Sequence, residues 1–211
     1  FKEHNLNPNK IKMVNVNNKV KVGELSVEFI RVSHSIPDSC AIAVKSPVGT
    51  ILFTGDFKMD FTPIDGDPTD IQRIAELGKK GLLALYCDST NVERPGYSIS
   101  EKEVGDTFIR IFGQVTGRII VATFASNLHR VQQIIYAAEK YNKKVALSGR
   151  SMMNNVRIAS ELGYLNVKNN TIIDMKNVKN YADDEIVVLS TGTQGEPLSA
   201  LTRMATVSYT H

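Results

Sequence analysis

The alternation of short apolar runs with helical stretches, from residue 118 onward, constrains the fold more than any other feature of this sequence. Strands joined by helices of ordinary length form βαβ units, because two parallel strands need a long crossover connection between them. The second half of the chain is therefore predicted to be an α/β domain, doubly wound around a parallel sheet. Its strands are predicted at 118–124, 144–148, 171–175 and 185–190, and its helices at 126–141, 150–162 and 197–205.

The first half shows a different pattern, in which short β-rich runs are separated by turn residues. Ser46-Pro47-Val48-Gly49 is typical of a hairpin turn, and Asp70 is placed to cap a helix that extends through Leu77. The run 82–86 is wholly apolar, which predicts a strand covered on both faces. The remaining strands are predicted at 11–16, 20–22, 25–32, 40–44 and 50–54.

A composition shift separates the two patterns. Arg94-Pro95-Gly96 is typical of a linker, and Ser100 with Glu103 has the spacing of a capping box, which predicts that a new helix starts there. We therefore predict two domains, residues 1–97 and residues 98–211. Because the chain opens on Phe1 and neither end has the composition of a tail, we expect it to be an internal part of a longer protein.

Composition places few limits on function. The 211 residues suffice for two modest domains, and the net charge of +3 permits an anionic partner without demanding one. Cys40 and Cys87 lie in apolar runs without CxxC spacing, so we predict buried, reduced thiols in a cytoplasmic protein. No apolar run approaches the roughly 18 residues of a membrane span.

Three predicted strands are followed by residues that can bind a metal ion. His34, Asp56 and Asp88 each lie just beyond an apolar run, in the kind of loop where rigid scaffolds usually carry chemistry. Hydrolytic zinc sites combine histidine nitrogens with a carboxylate that can bridge two metal ions. Each residue also has an ordinary interpretation, as a hydrogen-bonding loop histidine for His34 and as turn or capping aspartates for the other two.

Three strand-to-helix turns in the second half are candidates for anion binding. Exposed backbone amides and the positive end of the helix dipole attract anions at such turns, and an arginine suits a phosphate. The ordinary interpretation makes Ser126 a helix N-cap and places the charged residues on a solvated face. The candidates are Ser126, Asn127, His129 and Arg130 at the first turn, Arg150 and Ser151 at the second, and Thr193 and Gln194 at the third.

Six segments carry these candidates: SHSIPDS (33–39), FTGDFK (53–58), CDSTN (87–91), ATFASNLHRVQQ (122–133), GRSM (149–152) and STGTQGEP (190–197). In this order, and over nearly the whole chain, they resemble the ribonuclease J family of metallo-β-lactamase and β-CASP proteins. The resemblance implies part of a metallo-β-lactamase αββα sandwich in the first domain. It implies a doubly wound β-CASP domain with a parallel sheet in the second.

The resemblance also implies a role for each candidate. His34 would be a zinc ligand, Asp56 the carboxylate that bridges a pair of zinc ions, and Asp88 a catalytic residue beside the metals. The turn residues of the second domain would contact the phosphates or sugars of single-stranded RNA. The implied protein is a cytoplasmic, homo-oligomeric, zinc-dependent ribonuclease, acting as a 5′-3′ exonuclease and an endonuclease in RNA maturation and decay.

The zinc ligand set is incomplete in this sequence. The family's first motif, His-x-His-x-Asp-His, is absent, and the four histidines, His4, His34, His129 and His211, form no HxH pair. The setting of His211 matches neither of the family's later histidine motifs. We therefore expect the chain by itself to be metal-poor and inactive.

Two other functions stay open. A metallo-β-lactamase-fold hydrolase of another ester would use the same metal chemistry, but a small-ester hydrolase needs no appended doubly wound domain. A non-catalytic RNA-binding or assembly subunit would fit the absent first motif, if that absence were natural. The sequence that precedes Phe1 discriminates the subunit from the ribonuclease, because only the ribonuclease needs the histidine motif.

Overall fold

The structure, a computed structural model, describes residues 7, 9, 11–64 and 66–208, with side chains through residue 206. The predictions that involve His4 and His211 lie outside the described residues. The chain divides into two compact units. The first holds the described residues within 1–33, 38–59 and 68–96, and the second holds those within 34–37, 60–67 and 97–211. The predicted boundary between a metallo-β-lactamase domain and a β-CASP domain at residue 97 stays a prediction.

The first unit is built on a five-stranded sheet in the order β1-β2-β3-β4-β5. Its strands are β1 (Lys19–Val22), β2 (Leu25–Arg31), β3 (Cys40–Ser46), β4 (Gly49–Phe53) and β5 (Ala84–Tyr86). Neighbouring strands are antiparallel except β4 and β5, which are parallel. The crossover between these two contains α1 (Ile71–Lys80), which begins where the Asp70 carboxylate accepts a hydrogen bond from the Arg73 amide at 2.9 Å.

One face of this sheet forms a small core. Side chains alternate between the two faces along each strand, and the inward set of β2, β3 and β4 packs against α1. Ile30 and Leu52 from the sheet and Leu77 from α1 are all buried there. Each buried apolar side chain of this size contributes about 1.5–3 kcal/mol relative to exposure, so this cluster fixes α1 on the sheet.

The opposite face of the same sheet carries an apolar row that is much less buried. Register places its members directly beside one another on four successive strands, and we define them as the open row: Phe29, Ile42, Phe53 and Tyr86. Phe29 and Ile42 are half-buried, while Phe53 and Tyr86 are exposed and stack with ring centroids 4.8 Å apart. A sheet with one apolar face left open in this way is half of a two-layered structure.

Three predictions for the first half were wrong in part. Residues 11–15 form no strand, and the side chains along that segment are mostly exposed. β5 is an edge strand whose Leu85 is 55% exposed, so the prediction of a strand covered on both faces fails. Cys40 is half-buried but Cys87 is exposed, and both are free thiols; the prediction of a buried thiol is wrong for Cys87.

The second unit contains a four-stranded sheet, parallel throughout, in the order β6-β9-β7-β8. Its strands are β6 (Ile119–Ala122), β7 (Lys144–Ser148), β8 (Ile172–Ile173) and β9 (Ile186–Ser190). Its helices are α2 (Glu101–Gln114), α3 (Leu128–Lys140), α4 (Arg150–Glu161) and α5 (Ala200–Ser208), with short 3-10 helices at Met175–Asn180 and Asp183–Glu185. The order is that of a doubly wound domain, because β9 enters between β6 and β7.

Both faces of this second sheet are covered. On one face Val187 and Leu189 of β9 join a large cluster with residues of α2, α3 and α4. On the other, Ile186 and Val188 pack with Val178 of a 3-10 helix and with Met204 of α5. All residues of β9 are buried, as expected for a central strand of a parallel sheet. The predicted α/β fold with a parallel sheet is confirmed.

None of the helices in the described ranges is long and apolar enough to cross a membrane.

Candidate functional site

Asp56 and Asp88 lie beyond the carboxyl ends of two paired parallel strands, β4 and β5. The pairing ends at Phe53 and Tyr86, and the Thr54 amide continues it with a hydrogen bond to the Tyr86 carbonyl at 2.9 Å. Parallel strands bring their carboxyl ends to one edge of a sheet, where α/β proteins usually bind ligands. The first unit therefore presents both predicted carboxylates at the same edge.

The Asp88 carboxylate ties the two strand-end loops together. Its Oδ1 accepts a hydrogen bond from the Thr90 amide at 2.9 Å, and its Oδ2 accepts one from the Phe57 amide at 3.4 Å. The Asp88 amide in turn donates to Thr54 Oγ1 at 2.9 Å. The turn-aspartate role that the sequence allowed for Asp88 is thus observed, and it holds the loop that contains Asp56.

Thr54 and Gly55 support this arrangement, although the sequence analysis gave neither a role. Thr54 is buried, and its hydroxyl donates to the Gly55 carbonyl at 2.8 Å while accepting from Asp88. Gly55 has a φ of +59°, which L side chains rarely adopt, and an added Cβ would lie 3.3 Å from the Cys40 carbonyl oxygen. The tight turn leaves Asp56 exposed.

The segment that leads to His34 leaves the sheet at the same edge, because β2 runs in the same direction as β4. Within the first unit, the Ser33 amide donates to Thr69 Oγ1 at 2.9 Å, and the Ser33 carbonyl accepts from the Lys58 amide at 2.7 Å. His34 itself belongs to the second unit, where it is half-buried with its Nε2 3.4 Å from the Ser35 hydroxyl.

The donor set does not fit a complete zinc site. Structural and catalytic zinc sites use three or four His, Cys, Asp or Glu ligands. In the part of the chain that the structure describes, no group of three or more such side chains is arranged to hold a metal ion. The described residues therefore do not hold the implied metal pair by themselves. The ligand roles of His34 and Asp56 stay predictions.

The first turn of the second unit buries two of its polar residues, Asn127 and His129. Asn127, and not Ser126, caps α3, because Asn127 Oδ1 accepts a hydrogen bond from the Arg130 amide at 3.0 Å. The predicted capping role of Ser126 was wrong, and Ser126 is exposed. His129 is buried, and its amide donates to the Ser35 carbonyl at 3.3 Å. This hydrogen bond joins the loop 34–37 to the start of α3.

Arg130 belongs to a network of charged and polar groups that the sequence did not reveal. Its Nη2 lies 2.8 Å from Oε1 and 3.1 Å from Oε2 of Glu101, which is nearly buried at the start of α2. Ser100 caps α2 as predicted, although its hydroxyl accepts from the Lys102 amide, at 3.3 Å, and not from that of Glu103. Asp60 Oδ2, from a distant loop, accepts a further hydrogen bond from the Glu101 amide at 2.9 Å. Gln133 donates to the Glu101 carbonyl at 2.5 Å. The network fixes the guanidinium of Arg130.

The second and third turns lie against each other. Gly149, which precedes α4, has a φ of +107°, and a Cβ there would meet Thr191 Oγ1 at 3.1 Å. No side-chain hydrogen bond caps α4, and uncapped amides at a helix start are groups that can bind an anion. Arg150 and Ser151, the predicted RNA-binding residues of this turn, are both exposed.

The third turn depends on a glycine. At Gly192, with a φ of +119°, an added Cβ would lie only 2.5 Å from the Ser199 hydroxyl oxygen. Thr193 and Gln194 follow it and are exposed. The Gln194 amide donates to the Glu196 carboxylate at 3.3 Å, and the Gly195 amide donates to the Gly192 carbonyl at 3.3 Å. Two backbone donors of this turn are therefore used internally.

Comparison with known proteins identifies the relatives of this chain. Residues 116–211 match the family described as Ribonuclease J, beta-CASP domain. Ribonuclease J from Thermus thermophilus is 45% identical over 196 residues, which are 92% of this chain and 34% of that protein. Ribonuclease J from Helicobacter pylori is 45% identical over 213 residues, which are 100% of this chain and 31% of that protein.

A solved structure supports the fold alone. A protein of unknown function from Enterococcus faecalis V583 superposes with a TM-score of 0.61 at 17% identity, over 95% of this chain and 52% of that chain. It is the family match over residues 116–211 that makes the second half of the chain a β-CASP domain. The chain belongs to the ribonuclease J family, as its motifs predicted, and it spans about a third of the length of the curated relatives it matches.

Proposed function

We propose that this chain is part of a zinc-dependent ribonuclease that hydrolyses RNA phosphodiesters as a 5′-3′ exonuclease and as an endonuclease, in RNA maturation and decay. The observation that carries the proposal is the 45% identity to ribonuclease J along 92% or more of the chain. The geometry supports it, because Asp56 and Asp88 occupy one edge of the first sheet on neighbouring parallel strands.

In this proposal His34 and Asp56 are two zinc ligands, and Asp88 is a catalytic residue beside the metals. Zinc in such a site would supply a nucleophilic hydroxide at neutral pH. Since the described residues contain too few donors for the pair of ions, the proposal requires further ligands from beyond the described residues. The chain by itself is then inactive. The full protein is proposed to be a cytoplasmic homo-oligomer.

Single-stranded RNA is the proposed partner, and the start of α4 is its best-supported contact. The lack of a side-chain cap on α4 and the exposure of Arg150 and Ser151 favour a phosphate there. Thr193 and Gln194 at the neighbouring turn, and Ser126 at the start of α3, are proposed as further contacts. Asn127, His129 and Arg130 would act mainly by holding this surface in shape, because their described contacts are internal.

The first test addresses the metal site in a ribonuclease of the relatives' length that contains this chain. We expect Asp56→Asn to lower bound zinc, measured by metal analysis, and to abolish RNA hydrolysis, because an amide bridges two cations poorly. His34→Ala should lower zinc in the same way. Asp106→Asn, at an exposed position on α2, is the control. Unchanged zinc and activity in Asp56→Asn would refute the ligand assignment.

The second test addresses RNA binding by the chain itself. We expect Arg150→Ala to weaken binding of a single-stranded oligoribonucleotide and to reduce the slope of log affinity against log salt by about one. Arg157→Ala is the matched control, because Arg157 is exposed on the same helix but paired with Glu161 at 2.7 Å. Equal effects of the two substitutions would remove Arg150 from the proposed interface.

The same experiments separate the two alternatives. A non-catalytic RNA-binding subunit would show the Arg150 effect but no hydrolysis and no dependence on zinc in the full protein. A hydrolase of another ester would lose activity in Asp56→Asn yet bind RNA no better than a protein of similar charge. The β-CASP match over residues 116–211 favours the ribonuclease over the latter.

A further inference from the structure

The second unit contains a cavity of about 240 Å³, and of the predicted site residues Ser126 alone is among those that line it. It opens between the loop 34–37, the start of α3 and the second half of α4, and it is mainly apolar. Four large apolar side chains around it are exposed: Ile36, Ile158, Leu162 and Tyr164. A cluster of exposed apolar residues around a concave site marks a binding surface more often than a scattered set does.

The size of the cavity restricts its occupant. Pockets for drug-sized ligands measure about 300–1,000 Å³, so this one suits a smaller, compact group. The Tyr164 amide donates to the Ala159 carbonyl at 2.8 Å, which ties the backbone of Tyr164 to the end of α4, and the residue is 45% exposed at the cavity wall. An exposed aromatic ring beside aliphatic side chains is the arrangement on which a planar ring stacks.

Two polar groups line the same cavity. Asn155 donates from Nδ2 to the Ala125 carbonyl at 2.9 Å, and this bond assigns its Oδ1 as the atom left to accept a hydrogen bond. Ser126 lies at the rim, exposed, and its hydroxyl can donate or accept. A planar occupant would therefore meet an acceptor of fixed position and an adaptable hydroxyl.

We propose that this cavity binds a single nucleobase that carries an exocyclic amino group, adenine or cytosine, with the base against Tyr164 and its amino group donating to Asn155 Oδ1. The proposal rests on the proposed function, since RNA would supply the base. In this proposal the hydroxyl of the exposed Ser126 contacts the nucleobase and not a phosphate. It also places a site for one base next to the loop that contains His34.

The polar groups favour a base over an apolar peptide side chain. A leucine or phenylalanine from a partner would fill the same walls, but it would cover Asn155 Oδ1 without pairing it. Covering an amide oxygen in that way is unfavourable. A nucleobase can contact the apolar walls with its face and donate a hydrogen bond to Asn155 Oδ1 from its edge.

The test uses this chain, with adenosine monophosphate, cytidine monophosphate, uridine monophosphate and ribose 5-phosphate as probes in equilibrium dialysis. We expect adenosine monophosphate to bind at least tenfold more tightly than ribose 5-phosphate, and Tyr164→Leu to reduce that affinity about tenfold. Asn155→Leu should reduce binding of the adenine and cytosine nucleotides more than that of the uracil nucleotide. Tyr136→Leu, at an exposed tyrosine of α3 away from the cavity, should change nothing.

Two results would overturn the proposal: equal binding of adenosine monophosphate and ribose 5-phosphate, or unchanged affinity in Tyr164→Leu. Circular dichroism melting checks the fold of each variant, and Leu162→Ser, at a more exposed wall, repeats the test if Tyr164→Leu unfolds. If Arg150→Ala weakens RNA binding while Tyr164→Leu does not, the proposal of a nucleobase site is refuted and the proposed function is retained. If the chain binds no RNA yet binds adenosine monophosphate through Tyr164, the proposed function is refuted and the proposal of a nucleobase site is retained.

Discussion

The two sheets of this chain are similar in width but differ in how they are covered. In the second unit every residue of the central strand β9 is buried, and apolar clusters lie on both faces. In the first unit one face packs on α1, while the open row on the other face is half-buried or exposed. Apolar side chains therefore cover the second sheet on both faces and the first sheet on one face only.

This difference indicates where the stability of the chain resides. Burial of apolar area contributes roughly 25 cal/mol per Å² to the stability of a fold. The second sheet obtains this stabilisation on both faces, whereas the first sheet obtains it on one face only. The elements described in the first unit leave the open row exposed in part, and large exposed apolar rows favour association. The open row of the first unit is thus the apolar surface that requires a further layer of residues to bury it.

The largest expected effect compares one residue from each sheet. We expect Leu189→Ala, at a fully buried position of β9, to lower the free energy of unfolding by about 2–5 kcal/mol, because it removes apolar contacts and leaves a cavity. Ile42→Ala, on the open row, should lower the free energy of unfolding by clearly less, since Ile42 is only half-buried. Urea unfolding followed by circular dichroism measures both. Equal losses would show that the open row is covered in solution.

The covered sheet was also the easier one to predict from sequence. The strand predicted at 144–148 coincides with β7 (Lys144–Ser148), because a strand buried on both faces is a short apolar run with clear ends. The same pattern at 82–86 gave a wrong prediction of burial on both faces, since β5 is an exposed edge strand. Apolar composition predicts that a strand needs cover, but it does not say whether neighbouring residues provide it.

The candidate site was predictable only in its local parts. Asp56 and Asp88 were placed at strand ends because a sequence shows where an apolar run stops, and both lie there. The contacts among Asp60, Glu101 and Arg130 were not predicted, because their partners are 41 and 29 residues apart in the chain. No local pattern encodes such a pairing. The choice of Asn127 over Ser126 as the N-cap was missed for a smaller reason, since both residues are good caps.

A second prediction compares the units through one carboxylate at the start of a helix in each. Asp60→Ala removes the carboxylate that accepts from the Glu101 and Thr62 amides at 2.9 and 3.0 Å, and Asp60 is buried. We expect a loss of about 1–2 kcal/mol in unfolding free energy, because both amides lose their acceptor. Asp70→Ala, the half-buried cap of α1 in the first unit, is the matched control and should cost less. A larger loss at Asp70 would contradict the idea that the second unit holds the more tightly buried contacts.

The smallest expected effect concerns the ion pair that joins α1 to the first sheet. Arg73 Nε and Nη2 donate to the two carboxylate oxygens of Glu28 at 2.7 and 2.9 Å, and these hydrogen bonds hold the pKa of Glu28 below its ordinary value of 4.5. A carboxyl whose pKa is lowered by folding contributes stability above its unfolded pKa. That contribution disappears as the pH falls through the lower pKa of the folded state. Partly exposed pairs contribute at most about 1 kcal/mol, so the effect is modest.

We therefore expect Glu28→Gln to be less stable than the unaltered chain at pH 7 and to approach it as the pH falls through the lowered pKa of Glu28, since protonation of Glu28 removes the same interaction. Urea titrations at pH 7 and at the acidic pH measure the difference. Glu161→Gln is the control in the second unit, because the pair of Glu161 with Arg157 is exposed on both sides and should contribute only a few tenths of a kcal/mol. If Glu28→Gln lowered stability equally at both pH values, the charge of Glu28 would not hold α1 on the open-faced sheet, and apolar packing through Leu77 would be its main attachment.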